Sequence, residues 1–81
     1  GEARVELLLT LAQVANGLGD YASGEQAARA ALQDGAQGLS ALRALYAQLQ
    51  AQNEQNQPDA AARSLDEAEQ WLPSLAAAER S

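Results

Sequence analysis

Apolar residues recur at three- and four-residue steps in four segments of the chain, which is the spacing of one face of an α-helix. The first segment begins near Val5 and is followed by the glycine-containing stretch 17–20, which favours a tight turn. Its predicted inward stripe comprises Val5, Leu7, Leu8, Leu11, Val14, Ala15 and Leu18. The sequence therefore predicts a first helix that packs through a mostly leucine stripe and ends near Gly17.

The second segment differs from the first because its predicted inward face is built mainly from small residues. It runs from about Tyr21 to Gln33, and its inward candidates are Gly24, Ala27, Ala28, Ala31 and Leu32. Small faces let two helix axes approach closely. We therefore expect this helix to pack tightly against the first, with Tyr21 packing between helices.

Two more long helices and a short one follow the break at 34–38. The third carries the stripe Leu39, Leu42, Leu45, Tyr46 and Leu49, and continues into the polar stretch 50–57; a flexible loop over 48–57 is the alternative. Pro58 predicts the start of the fourth helix, because proline is tolerated in a first helical turn. That helix is expected to stop at Pro73, with Ser74 as the N-cap of a last helix, 75–80.

The composition favours helices and excludes several kinds of function. Alanine, leucine, glutamine, glutamate and arginine dominate, whereas β-branched residues are nearly absent, so the expected fold class is all-α with about five helices. The chain contains no His and no Cys, which removes the usual nucleophile–base pairs, disulfides and thiolate metal sites. We expect no enzyme activity, no metal and no cofactor.

The charge argues against nucleic acid and membrane partners. The net charge is −6, and the five arginines are scattered, whereas phosphate binding needs clustered basic residues. No apolar run approaches the roughly 20 residues of a membrane span. Adjacent acidic residues such as Asp66 and Glu67 do not face each other on a helix, so they predict a solvated surface and not paired catalytic carboxylates. The large aromatics Tyr46 and Trp71 are expected in core or half-buried positions, with exposed binding anchors as the alternative.

An internal repeat is visible when the two halves of the chain are aligned. The apolar pattern around Leu8 and Leu11 recurs around Leu42 and Leu45 at an offset of 34 residues. The pattern of the second helix, from Gly24 to Ala31, recurs from Ala61 to Ala68 at an offset of 37. The difference predicts a three-residue insertion in the polar stretch that ends at Pro58.

These features resemble the tetratricopeptide repeat (TPR) family. Leu18-Gly19-Asp20-Tyr21 is similar to the family's turn between the two helices of a repeat, and Ala28 and Ala31 fit the second-helix spacing. The resemblance implies a single domain over 1–81, with stacked antiparallel hairpins in a short right-handed superhelix. Its units are 5–38 and 39–75, and the start of a capping helix is 75–81. An unrelated pair of helical hairpins is the alternative.

The resemblance also implies where a partner binds. In the family, the first helices of the repeats line a concave surface that binds proteins or peptides. The matching positions proposed as partner-binding residues are Leu9, Gln13, Asn16, Arg43, Ala47 and Gln50. Leu9 and Gln13 stand where carboxylate-gripping members have Lys and Asn, so no such clamp is expected.

The sequence thus favours a protein–protein interaction module within a larger, bacterial assembly, secretion or regulatory protein. One alternative is a structural spacer or self-associating helical segment, and another is a chaperone-like regulatory domain attached to an enzyme. Because such arrays usually need about three units for stability, we expect a fragment of a longer array or a module completed by self-association or by a partner. The composition suits the cytoplasm and the periplasm equally.

Overall fold

The chain forms five α-helices in the computed structural model, which describes residues 2–80, with side chains as far as residue 77. The elements are α1 (Glu2–Gly17), α2 (Tyr21–Gln33), α3 (Leu39–Glu54), α4 (Pro58–Gln70) and α5 (Leu72–Arg80). Helices α1 and α2 form one hairpin, α3 and α4 form a second, and α3 packs on both helices of the first. The all-α prediction with about five helices is confirmed. None of the described helices is long and apolar enough to cross a membrane.

The two hairpins close through turns of the same geometry. In the first turn Gly19 has a positive φ of 85°, and the Asp20 amide donates to the Ala15 carbonyl. In the second, Asn56 has a positive φ of 61°, and the Gln57 amide donates to the Gln52 carbonyl. Glycine and asparagine adopt this left-handed conformation most readily. The polar stretch is therefore a helix followed by a tight turn, and not a long loop.

The helix boundaries of the second hairpin lie 37 residues after those of the first. Each first and last residue of α3 lies 37 positions after its counterpart in α1, and the same holds for α4 and α2. The offset of 34 for the first helices, and the insertion before Pro58, are therefore wrong. A shift of three residues is close to one helical turn, so an alanine- and leucine-rich stripe matches itself almost equally well in either register.

Helix α1 is rotated relative to the prediction. Its buried residues are Val5, Leu9, Ala12, Ala15 and Asn16, whereas Leu7, Leu11, Val14 and Leu18 are exposed. Of the predicted stripe, only Val5 and Ala15 are buried, and Leu8 is half-buried. The alanines of α1 let it approach α2 closely, which a leucine stripe in the same place would prevent.

The small residues predicted on the inward face of α2 are buried in the structure. Gly24, Ala27, Ala28 and Ala31 are buried, and Leu32 is half-buried. Gly24 lies so close to α1 that a Cβ atom there would collide with the Asn16 side-chain amide and lie 3.3 Å from the Ala12 carbonyl oxygen. Two small buried clusters result, one centred on Leu9 and Ala31 and the other on Ala12 and Ala28.

The second hairpin also leaves large apolar side chains exposed. Leu45 is buried, but Leu39 and Tyr46 are exposed, so the expectation of a buried or half-buried Tyr46 is wrong. Trp71 is half-buried, as expected. Helix α5 begins at Leu72 and includes Pro73 in its first turn, where proline costs little, so neither the stop at Pro73 nor the N-cap at Ser74 is correct. The final residue of the expected capping segment, 81, lies outside the described residues.

A buried polar network joins the two hairpins. The Gln48 amide donates to Ser64 Oγ at 3.2 Å, and the Ser64 hydroxyl donates to Gln52 Oε1 at 2.7 Å. The Gln52 amide donates in turn to the Glu25 carboxylate at 3.2 Å, and Gln55 donates to the same carboxylate at 3.0 Å. Because Glu25 belongs to α2, Ser64 to α4 and the glutamines to α3, these hydrogen bonds fix the three helices relative to one another.

Replacing Ser64 with alanine is expected to lower the free energy of unfolding by about 1–3 kcal/mol, because the buried Gln52 carbonyl oxygen loses its donor. Urea unfolding followed by circular dichroism measures the change. The exposed Ser74→Ala variant is the control and should unfold like the parent. Equal stability of all three proteins would show that the network does not contribute.

Candidate interaction surface

Helix α1 packs directly on α3, more extensively than α2 meets α4. Near one end of this contact the Arg43 guanidinium donates to the Glu6 carboxylate at 3.1 Å. Near the other end the Asn16 amide donates to the Ala47 carbonyl oxygen at 3.1 Å. Leu9 packs between these two points in the same cluster as Ala44. The first helices of the two hairpins therefore lie side by side.

The six residues predicted to bind a partner divide into two groups of three. Gln13 and Gln50 are exposed, and Arg43 is half-buried beside Glu6. These three side chains are accessible on the outer side of the α1–α3 pair.

The other three predicted residues are inaccessible. Leu9 is 1% exposed, Ala47 is 3% exposed and Asn16 is 6% exposed. The leucine stripe predicts Leu9 and Asn16 on the outer side of α1, and the 34-residue offset predicts Ala47 on the outer side of α3. All three instead form the contact between α1 and α3, so their placement on an open surface is corrected.

Two accessible residues, Tyr46 and Asn53, lie outside the predicted set. At a period of 37 the counterparts of Glu6, Leu9, Gln13 and Asn16 are Arg43, Tyr46, Gln50 and Asn53. These α3 residues lie on one helix face, and Tyr46 is 66% exposed while Asn53 is also exposed. The 37-residue offset visible in the second helices could have identified them, had it been extended to the first helices. We call Gln13, Arg43, Tyr46, Gln50 and Asn53 the first-helix face.

The first-helix face offers hydrogen bonds and one aromatic ring. Its three side-chain amides can each donate and accept, which suits the alternating donors and acceptors of a peptide backbone. The Arg43 charge is already paired with Glu6, and both side chains are partly exposed, so this ion pair contributes little stability. Among residues 2–80, no group of acidic side chains is arranged to hold a metal ion.

Comparisons with family models, curated proteins and solved structures gave no match to this chain.

Proposed function

We propose that the chain is a TPR-like scaffold that binds a protein or peptide on its first-helix face. The observation that carries this proposal is the unequal approach of the helices: α1 packs on α3, whereas α2 and α4 meet far less. Stacked hairpins whose first helices lie closer together than their second helices bend toward the first helices. A surface curved in this way can follow an extended segment of a partner.

Tyr46 is the expected anchor of this interaction. Tyrosine is enriched at interface hot spots because it combines a large apolar ring with a hydroxyl group. Gln50 and Asn53 lie on the same side of α3 and can bond the partner's backbone. Because the only charge on the face is the Arg43 guanidinium, paired with Glu6, the partner segment is expected to be largely uncharged where it contacts α3.

The wider setting proposed for this module is a larger bacterial assembly, secretion or regulatory protein. That part rests on the resemblance of Leu18-Gly19-Asp20-Tyr21 to the TPR turn and on the stacked hairpins. The alternative is a chaperone-like regulatory domain attached to an enzyme. In that case the first-helix face would bind the partner in the same way.

The proposal can be tested with peptides selected from a random linear library displayed on phage. Selected peptides are expected to shift the amide resonances of α1 and α3 in a ¹⁵N-labelled sample, and Tyr46→Ala is expected to weaken their binding at least ~10-fold, which corresponds to about 1.4 kcal/mol. Isothermal titration measures the affinities. Tyr46 is exposed, so its removal should leave the fold intact.

Leu72→Ala is the matched control, because it removes an exposed apolar side chain from α5 and not from the first-helix face. It should bind the selected peptides like the parent. A selection that gives no binders, or binders whose shifts map to α2 and α4 and that tolerate Tyr46→Ala, would contradict the proposal.

A further inference from the structure

The contact between the two hairpins shows which positions of a hairpin are buried where one hairpin packs on the next. On the α3 side, Ala44 and Ala47 are buried against the first hairpin, in clusters that contain Leu9 and Ala28. Ala51 is fully buried, and Gln55 donates to Glu25 of α2. One face of α3 is thus covered by the preceding hairpin.

The corresponding face of α1 is uncovered. The residues 37 positions before Ala44, Gln48, Ala51 and Gln55 are Leu7, Leu11, Val14 and Leu18. All four are more than half exposed, and Leu11, Val14 and Leu18 line an open groove together with residues of α2. We call these four residues the leading face. Nothing packs on it within residues 2–80.

At the opposite end of the stack, the second hairpin exposes the counterparts of the residues through which the first hairpin contacts α3. On the first hairpin, Leu9, Ala28 and Ala31 are buried close to α3. Their counterparts 37 residues later are Tyr46, Leu65 and Ala68. Tyr46 and Leu65 are exposed and Ala68 is half-buried. We call these three residues the trailing face.

We propose that copies of this chain stack head to tail, with the leading face of one copy on the trailing face of the next. This arrangement continues the junction that the molecule already contains between its own hairpins. It uses the two apolar faces that the internal junction leaves unpaired, one at each end of the stack. It rests on the end faces and the 37-residue period. Tyr46 belongs to both the trailing face and the first-helix face, so a stacked copy and a bound peptide would compete for it.

The charges of the two faces permit this contact despite the net charge of −6. The stretch 7–19 contains no charged residue, and the three residues of the trailing face are uncharged. Stacking of these residues therefore buries apolar side chains, and Asp20 is the charged residue that lines the same groove.

The size of the two faces determines how strongly copies of the chain are expected to associate. The two faces comprise seven residues, far fewer than the roughly 20–30 residues a side of a standard interface, so association should be weak and concentration-dependent. Because the two faces differ, the contact is heterologous and does not close after two copies. The mean mass in solution should therefore keep rising with concentration.

Sedimentation equilibrium of the full chain from about 10 μM to 1 mM tests the proposal, since this range brackets the weak affinities of small interfaces. The parent is expected to rise above its monomer mass of 8.5 kDa across this range. Two variants each block one face. Leu11→Glu places a charge on the leading face, and Leu65→Glu places a charge on the trailing face.

Each blocked variant alone should remain monomeric, and an equimolar mixture should form a 1:1 pair and stop there, because each partner keeps one open face. Leu72→Glu, an exposed leucine outside both faces, is the control for added charge and should associate like the parent. Circular dichroism checks that every variant keeps its helices.

Three results would each overturn head-to-tail stacking. The parent could remain a monomer up to about 1 mM, a concentration at which even small interfaces associate. The Leu65→Glu variant could associate like the parent, which would indicate that two leading faces pair with each other. The mixture could stay monomeric, which would indicate that the two faces do not recognise one another.

Discussion

Replacing Leu9 with alanine is expected to lower the free energy of unfolding by about 2–5 kcal/mol, the cost of removing a fully buried leucine and leaving a cavity. Leu9 is 1% exposed and packs with Val5, Ala31 and Ala44. Because most of the remaining core is alanine, few large side chains can move to fill the space. A small domain has only about 5–15 kcal/mol of stability, so this loss is a large share of the total.

Leu11→Ala is the matched control, because Leu11 lies half a turn away on the same helix and is 53% exposed. Its effect is expected to stay within about 0.5 kcal/mol, as for most surface substitutions. Urea titrations of both variants at low protein concentration measure the difference. If Leu11→Ala proved the more damaging of the two, α1 would be rotated as its leucine stripe first indicated.

Replacing Gly24 with alanine is expected to cost on the order of 2–3 kcal/mol, although the same change in an exposed helix gains about 1 kcal/mol. The added methyl group would collide with the Asn16 side chain. Asn16 is buried and donates to the Ala47 carbonyl, so moving it also breaks a hydrogen bond between the hairpins. Steric overlap and the lost hydrogen bond both exceed the gain in helix propensity.

An Asn16→Ala background identifies the source of this cost. With the amide removed, the Gly24→Ala change should be close to neutral or stabilising, giving a coupling energy of about 2 kcal/mol in a double-mutant cycle. Thermal and urea unfolding of the four proteins supply the cycle. Additive effects of the two substitutions would show that the Asn16 side chain is not the source of the cost.

The helix boundaries and the close face of α2 were predictable from local signals. Glycine and aspartate at 19–20 mark the first turn, Pro58 marks the start of α4, and the alanine spacing of α2 marks a close helix contact. Each of these signals depends on a residue's own backbone preference or size. These signals therefore do not depend on contacts with residues that are distant in sequence.

The rotation of α1 was not predictable in the same way. The helix carries two stripes with three- and four-residue spacing, one through Leu7, Leu11 and Val14 and the other through Val5 and Leu9. Hydrophobicity alone selects the leucine-rich stripe. Burial follows instead the side on which α2 and α3 pack, and that depends on contacts distant in sequence.

The candidate site was predicted only in part because two errors reinforced each other. The rotation of α1 placed Leu9 and Asn16 outward, and the offset of 34 paired them with the wrong residues of α3. Arg43 and Gln50 are still identified, because the offset of 34 from Leu9 and Asn16 reaches two residues that are accessible in the structure. Tyr46 was missed because a large aromatic in an alanine-rich chain is expected to be buried, and no following hairpin covers it within the described residues.

Nuclear Overhauser effects between methyl groups test the arrangement of α1 against α3 most directly. A methyl-labelled sample of the parent, kept dilute enough to be monomeric, should show contacts from the Leu9 methyl groups to those of Ala31 and Ala44, which share its cluster. The methyl groups of Leu11 and Val14 should show none to Ala44. Contacts from Leu11 or Val14 to Ala44, without contacts from Leu9, would contradict the rotation of α1, the 37-residue junction and the first-helix face built on them.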